Sequence, residues 1–579
     1  MIAKSGSGFD VILVTAEYYE DHPFSPTGII AKVLEAKGFS VGIIEKPVRD
    51  EDFCRLGAPR LCFGVTSGAV DSMVNNYTPL KKRRDEDDYS NVTRMPDRAI
   101  IVYCNGIKRN FRESVIVLGG IEASLRRFAH YDYWDNDVRR SILFDTRADI
   151  LVYGNGEKQI VEIAKRLREG VSLLDVAGTC MKSRELPQGF TLLPSFADAK
   201  TEHASFCRMQ AAFSNRKNLA QEYDNNYVLQ FASPEYTPQD LDWVYSLDYS
   251  RKLRPNSLLK MAQFSVATHR GCIGNCSFCA IALHQGDKII SRLEESILSE
   301  IRRLTKHPDF KGYIDDLGGP SANMYGMDCD TRCEGDCRQC GKLDKSHARV
   351  TELLKRVRQV PGVKKVFVRS GIRYDLAMES EEYIREISEH HVSGTLKIAP
   401  EHFSQKVLKL MNKDNARFDE FVDLFNRLNE KKRQSLRYYF MICHPGDDEA
   451  EVRRLRKKAD HLKNIEQFQL FTPTPMSVST CMYWTGMNPV TLEKVDVVHD
   501  YNTKKRMKRT MLELIDGSRC GESGGKQPRA APGRGRNGKG DGGRERSGER
   551  KAHGDKVKDC GRGMAAPSWK KGAEKRPRA

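Results

Sequence analysis

The stretch Phe264-Ser265-Val266-Ala267-Thr268-His269-Arg270-Gly271-Cys272-Ile273-Gly274-Asn275-Cys276-Ser277-Phe278-Cys279 decides how the chain is read. Its first five residues read as a short buried strand. The loop that follows carries three cysteines at a C-x3-C-x2-C spacing, with no fourth close behind. Thiolates at this separation can converge on one compact metal centre. Three protein ligands leave one coordination position open, and open positions are where metals do chemistry. Structural zinc sites usually pair two C-x2-4-C or H-x3-5-H halves, and no second half follows closely here. The spacing therefore suggests iron–sulfur. The plain alternative is three buried or zinc-binding cysteines.

Downstream the strand-then-helix pattern repeats. After the strand at 264–268 come a helix near 294–304 and strands at 312–317, 364–369, 394–399, 437–442 and 467–471. Each strand ends in polar or glycine-containing sequence: Gly318-Gly319-Pro320, Ser370-Gly371-Ile372-Arg373, Pro400-Glu401-His402, His444-Pro445-Gly446-Asp447 and Thr472-Pro473-Thr474-Pro475. In a barrel of such units the active site lies at the C-terminal ends of the strands. These segments then share one mouth. His402 and His444 there are either acid–base groups or rim histidines.

Upstream, strands at 10–15, 41–45, 61–66, 115–118 and 150–152 alternate with helical sequence such as 27–37, stopped by Gly38. That alternation predicts a parallel, doubly wound sheet. Several of its strands run into glycine-containing loops, where such sheets bind ligands. Residues 158–250 read as a connector without chemistry of its own. The expected division is 1–250 for the α/β domain and connector, 251–475 for the barrel, 476–516 for an extension and 517–579 for a disordered basic tail.

A second cysteine set, Cys329, Cys333, Cys337 and Cys340, falls in a long stretch after the second barrel strand. Long segments inside compact domains tend to be functional or disordered. Four cysteines in twelve residues can complete a closed zinc site or an auxiliary Fe–S cluster. Seven of the 16 cysteines lie in these two sets. That suits metal binding in a reducing cytosol better than a secreted disulfide framework.

Composition narrows the rest. The net charge of +17 is concentrated at the end, where residues 519–579 carry eighteen Lys/Arg against seven Asp/Glu. That segment has too few large apolar residues to fold alone. Its basic groups can touch nucleic acid electrostatically. No apolar run of membrane-spanning length and no signal-peptide core is present, so a cytoplasmic protein with no membrane partner is expected.

The cysteine triplet, with an aromatic before its last Cys, resembles the signature of radical S-adenosylmethionine (SAM) enzymes. The runs Gly-Gly-Ile-Glu-Ala-Ser-Leu-Arg-Arg (119–127), Ser-Gly-Ile-Arg-Tyr-Asp (370–375), Ala-Pro-Glu-His (399–402) and Thr-Pro-Thr-Pro-Met (472–476) resemble the YgiQ-like members of that superfamily. The resemblance implies a cobalamin-binding-like N-terminal α/β domain and a partial (β/α)6 TIM-type barrel. It implies Cys272, Cys276 and Cys279 as ligands of a 4Fe–4S cluster, with SAM on the remaining iron and Phe278 near the adenine. Gly318 and Gly319 stand where the superfamily's Gly-Gly-Glu meets the SAM amino group. Pro320 replaces the Glu, so only the glycines carry over. Arg373, Lys397 and Glu401 correspond to positions that bind the SAM carboxylate and ribose. The implied activity is reductive cleavage of SAM to a 5′-deoxyadenosyl radical, with an external electron donor such as flavodoxin or ferredoxin and an unknown substrate. Cobalamin is not expected, because Asp-x-His-x-x-Gly is missing and Asp21-His22-Pro23 has the wrong spacing. Outside enzymes, the alternative is a zinc-stabilised RNA-binding protein using the basic tail.

Overall fold

In the computed structural model, residues 2–84, 94–329, 333, 335–462 and 464–521 are described, with side chains to 513. Apolar five-residue runs build the first half. Val11–Thr15 is buried throughout, as are the first four residues of Val41–Glu45 and of Cys62–Thr66. These strands lie parallel with Ile116–Leu118 and Ile150–Val152, in the spatial order 41–45, 11–15, 62–66, 116–118, 150–152. Runs buried on both faces are what helices packed on both sides of a parallel sheet demand. The order reverses direction between Val11–Thr15 and Cys62–Thr66, which makes that junction the topological switch point.

The segment 158–250 does more than connect. It opens with the helix Glu157–Glu169 and then adds Thr179–Ser183, Asn226–Gln230, Leu219–Tyr223 and Thr191–Leu192 to the far edge of the same sheet, which with Ile2–Ala3 on the opposite edge beside Val41–Glu45 has ten strands. Its polar residues serve the buried Arg127. Gln230 accepts from Arg127 Nε at 2.8 Å and Asn215 from Nη2 at 2.6 Å, while Tyr153 and Phe213 cover the guanidinium faces.

The charged run after Gly119-Gly120 also has a structural task. The buried Glu122 carboxylate accepts from the backbone N–H of Ser72 at 2.9 Å and of Ile100 at 3.2 Å, at the starts of helices Ser72–Asn76 and Ala99–Asn110. It satisfies donors that helix starts leave unpaired. Arg126 forms a buried ion pair with Asp71.

The second half is an open barrel. Val266–Ala267 pairs in parallel with Leu317–Gly318, and Tyr313–Ile314 with Lys365–Val366. Thr395–Glu401, Ser435–Ile442 and Ile465–Leu470 continue in parallel order. With Tyr313–Ile314 and Leu317–Gly318 taken as one interrupted strand, these segments make six strands, as the sequence pattern predicts. Helix Glu294–Leu304 packs on them through Ile297, Leu298 and Ile301, within one core that spans the barrel.

Two helices after the last barrel strand clasp the two halves. Helix Val478–Thr485 brings Cys481 and Tyr483 into the core of the N-terminal sheet. Helix Tyr501–Gly521 is pinned by the buried Lys504, which donates to Tyr483 Oη at 2.8 Å and Tyr133 Oη at 3.4 Å. The expectation of a disordered tail at 517–579 lies almost wholly outside the described residues. No helix among the described residues is long and apolar enough to cross a membrane.

Candidate active site

The cysteine loop is an arch with both feet fixed. His269–Arg270 pairs antiparallel with Ile290–Ser291 on one side, and helix Ile281–Gln285 starts on the other. Gly271 has φ +87, and a Cβ there would collide with the Lys288 carbonyl. Only glycine fits this close approach. Asn275, between the first two thiols, is left-handed at φ +41, a conformation asparagine tolerates better than most residues. The crown is tied at three points. Cys272 N–H donates to Gly286 O at 3.1 Å, Ser277 N–H to Met411 O at 2.9 Å, and Ser479 N–H to Ser277 O at 2.9 Å. Asn412 Nδ2 adds a bond to Asn275 O at 2.8 Å.

All three thiols are partly buried. Burial raises the Cys272 thiol and pushes Cys279 up to about 12, with the neighbouring thiols adding to both. A bound metal reverses this by deprotonating the thiol it binds. Cations wait beside them. Arg373 Nη1 lies 3.5 Å from Cys276 Sγ, and Lys413 acts electrostatically on Cys272. Among the described residues no three His, Cys, Asp or Glu are gathered to hold one metal ion. A tetrahedral zinc needs its sulfurs roughly 3.8 Å apart, given Zn–S bonds of about 2.3 Å. A cluster gives each thiolate its own iron and asks less convergence of the loop. Three thiols on one arch with cations beside them suit a negatively charged metal–thiolate group.

The other residues singled out in the sequence are placed as follows. Phe278 packs against helix Gln405–Met411 and edge-on to His444, centroids 6.2 Å apart. Gly318 carries the carbonyl that accepts from Thr268 N–H at 2.8 Å. A Cβ on Gly319 would meet the His269 ring at 2.6 Å, so glycine there also lets two barrel segments approach. Arg373 is buried, but its fork is engaged by Asp375, with Nε to Oδ1 at 2.9 Å. Glu401 ends its strand left-handed at φ +64, 3.8 Å from Lys413 Nζ. Burial raises its carboxyl against the pull of Lys413 and Arg373. Lys397 is exposed on the strand face opposite Leu396 and Ile398. His402 and His444 are fully buried and packed. His444 faces Ser479 Oγ at 2.6 Å and Pro445 O at 2.8 Å, and His402 lies 3.5 Å from Asp447.

The second cysteine set folds onto the back of the first. Cys272, Cys329 and Cys340 pack around a cluster that holds Ile273, Ile289, Met324 and Cys337. Lys288 Nζ lies 2.9 Å from Cys337 Sγ and 3.7 Å from Cys333 Sγ. The Gly335 backbone N–H and Lys288 hold the Cys333 thiol below its usual range. Arg338, inside this set, donates to Asn412 O at 2.9 Å and Oδ1 at 2.6 Å. Asn412 thus joins the two cysteine segments. Residues 330–332 and 334 lie outside the described set.

Asn412, Lys413 and Asn323 belong to the site but carry no sequence motif, and Asp375, the last residue of the 370–375 run, had no role assigned to it. Asn323 clamps the Arg373 backbone, accepting its N–H and donating to its carbonyl, both at 2.9 Å. The one readable sign was Asn412 at a helix end, a common left-handed cap.

Comparison with known proteins gives the family and the fold. Residues 1–267 match the model of the radical SAM N-terminal domain, 266–459 that of the radical SAM superfamily, and 466–519 a domain of unknown function. A UPF0313 protein of Methanocella arvoryzae is 44% identical over 544 residues, covering 87% of this chain and 90% of the relative. A UPF0313 protein of Clostridium botulinum strain 657 is 44% identical over 547 residues, covering 87% and 85%. Among solved structures, the radical SAM methyltransferase TsrM from Kitasatospora setae, with cobalamin and a [4Fe-4S] cluster bound, superposes with TM-score 0.50. It is 16% identical over 82% of this chain and 78% of that one, a likeness of fold. The chain belongs to the UPF0313 family of radical SAM proteins, the family of YgiQ.

Proposed function

We propose that the chain is an enzyme that binds a 4Fe–4S cluster through Cys272, Cys276 and Cys279 and reductively cleaves SAM. The observation that carries this reading is the arch itself: three partly buried thiols on one loop at the C-terminal end of the first barrel strand, with Arg373 against Cys276. When bound, the cluster supplies the electron that splits the SAM sulfonium and yields a 5′-deoxyadenosyl radical. The chain's own groups shape the surroundings. Arg373 and Lys413 offset negative charge at the thiolates. Glu401 offers a carboxylate suited to ribose hydroxyls, and Lys397 a cation suited to the methionine carboxylate. Asp375 already engages the Arg373 fork, which favours a lysine for that carboxylate. The glycines at 318 and 319 let backbone approach the SAM amino group closely.

Radical SAM enzymes need an external reductant, and a flavodoxin or ferredoxin in a reducing cytoplasm fits that need. The second cysteine set suits an auxiliary metal centre, zinc or Fe–S, within reach of Lys288. The cobalamin of the Kitasatospora setae enzyme is not carried over through a histidine. His22, the nearest candidate, places Nε2 3.0 Å from Gln263 O and accepts from Phe24 N–H at Nδ1. The RNA-binding alternative draws on a tail outside the described residues and finds no support in the fold. The test is iron and sulfide content with electron paramagnetic resonance on anaerobically purified protein. Wild type with one cluster and Cys276→Ala with none supports the reading; zinc without iron in wild type overturns it.

A further inference from the structure

Two helices far apart in sequence meet at a pair of thiols. Helix His203–Ala212 belongs to the segment that widens the N-terminal sheet, and helix Val478–Thr485 follows the last barrel strand. Cys207 on the first and Cys481 on the second are both buried, and the Cys481 thiol donates to the Cys207 sulfur across 3.8 Å. Two further contacts hold the helices in place. Gln210 Nε2 donates to Met476 O at 3.1 Å, and the His203 ring stands edge-on to Trp484 with centroids 5.4 Å apart. The sulfurs are thus in contact, short of the roughly 2.05 Å of a bond.

Free cysteine often does no more than fill a core. Cys62 and Cys180 are of that kind, and burial pushes both up to about 12. The pair differs. The hydrogen bond from Cys481 brings the Cys207 thiol down to about 7 against burial, helped by Thr485 Oγ1 at 3.5 Å and by the charge of Arg208. The same bond and burial push Cys481 well above its usual range. Near neutral pH one sulfur is therefore partly thiolate while the other keeps its proton. That is the division of labour between an attacking and a resolving thiol. The cover over the pair is thin, since Arg208, the next residue after Cys207, is exposed.

Helix Val478–Thr485 also touches the cysteine arch. Ser479, two residues before Cys481, donates its N–H to Ser277 O at the crown, at 2.9 Å, and its hydroxyl lies 2.6 Å from His444 Nε2.

We propose that Cys207 and Cys481 are a reversible redox site, which a peroxide joins into a disulfide that staples the N-terminal half to the helix beneath the arch. The Cys207 thiolate attacks one peroxide oxygen, the O–O bond breaks and hydroxide leaves. The Cys481 sulfur then displaces the oxygen of the resulting sulfenic acid, which departs with the Cys481 proton as water. The two sulfurs together give up two electrons, and the peroxide takes them. A dithiol returns both to thiols. A cross-link that closes so long a loop stabilises the fold chiefly by restricting the unfolded chain. The staple holds the two halves together under oxidising conditions. It stands on the two helices and does not depend on what the arch binds.

The test uses the full chain, purified anaerobically and then exposed to a few-fold excess of hydrogen peroxide. Catalase removes the peroxide, free thiols are alkylated under denaturing conditions, and unreduced peptides are mapped by mass. Expected is a peptide joining Cys207 to Cys481, with Cys62, Cys104 and Cys180 alkylated. The thermal midpoint of the treated protein should lie several degrees above that of the same sample after dithiothreitol, which should also release the joined peptide from the folded chain. Treated Cys207→Ala and Cys481→Ala should show no such difference. Recovery of Cys207 and Cys481 as separate alkylated thiols overturns the proposal. So does a joined peptide that dithiothreitol leaves intact, or a midpoint difference that persists in the variants. Should a variant misfold, the peptide map and midpoints of the wild type decide.

Discussion

Arg373 Nη1 donates to the sulfur of Cys276 across 3.5 Å, while Asp375 holds the rest of the guanidinium. Hydrogen bonds and positive charge at cluster sulfurs raise the reduction potential. Removing Arg373 alone would strand the buried Asp375, so the informative variant is Arg373→Met with Asp375→Asn. A charge-assisted bond worth about 1.5 kcal/mol corresponds to roughly 60 mV for one electron. The double variant should keep its iron and show a cluster potential lower by about that amount in a spectroelectrochemical titration. An unchanged potential would remove Arg373 from the cluster's surroundings.

Asn412 ties the two cysteine segments together through Asn275 and Arg338. It is left-handed at φ +52, so Asn412→Gly keeps the backbone unstrained and removes only the side-chain bonds. Two lost bonds amount to about 1–2 kcal/mol, felt locally at the arch. The expected outcome is a thermal midpoint near that of wild type with cluster bleaching in air several-fold faster. Equal bleaching would mean the arch holds its shape without this tether.

Lys288 beside Cys337 and Cys333 gives the second cysteine set a cation suited to thiolates. Anaerobically purified wild type should carry metal beyond one 4Fe–4S cluster. Cys333→Ala with Cys337→Ala should lose that excess and keep the first cluster's iron. Metal analysis that finds equal content in both proteins would make the set structural.

Several buried imidazoles make the fold acid-sensitive. Burial pushes His22, His269 and His444 down to about 3, and His130, His284 and His347 down to about 4. In the unfolded chain they titrate near 6.5. As pH falls below that value the unfolded state takes up protons that the folded state refuses. Each such group then costs up to about 1.4 kcal/mol per pH unit until its folded value is reached. Stability should therefore be full near pH 7 and fall steeply between pH 6 and 4. A thermal midpoint that stays flat from pH 7 to 5 would contradict this placement of the histidines.

Much of this architecture could be read from spacing. The apolar runs at 10–15, 41–45 and 61–66 are strands because residues buried on both faces leave little other choice. The triplet and the polar strand ends located the barrel mouth for the same reason that barrel sites are where they are. Segment 158–250 was opaque because its strands carry polar residues such as Gln221 and Gln230, which are buried by partners far away in sequence. Lys413 and Asn323 were invisible because each acts through a neighbour reached only by folding, whereas Asp375 stands in the 370–375 run beside the Arg373 it engages. Glu122 and Arg126 were conspicuous in the sequence, yet their work is to cap helices and balance a buried Asp71.

The most direct measurement of the central claim is 5′-deoxyadenosine release. Anaerobically purified, reconstituted protein is mixed with dithionite and SAM, with Cys276→Ala alongside. Product from wild type and none from the variant is the result expected of three thiols holding a 4Fe–4S cluster. No product from wild type, together with no iron and no change in its spectrum on adding SAM, would contradict the account and leave the cysteine arch a structural element.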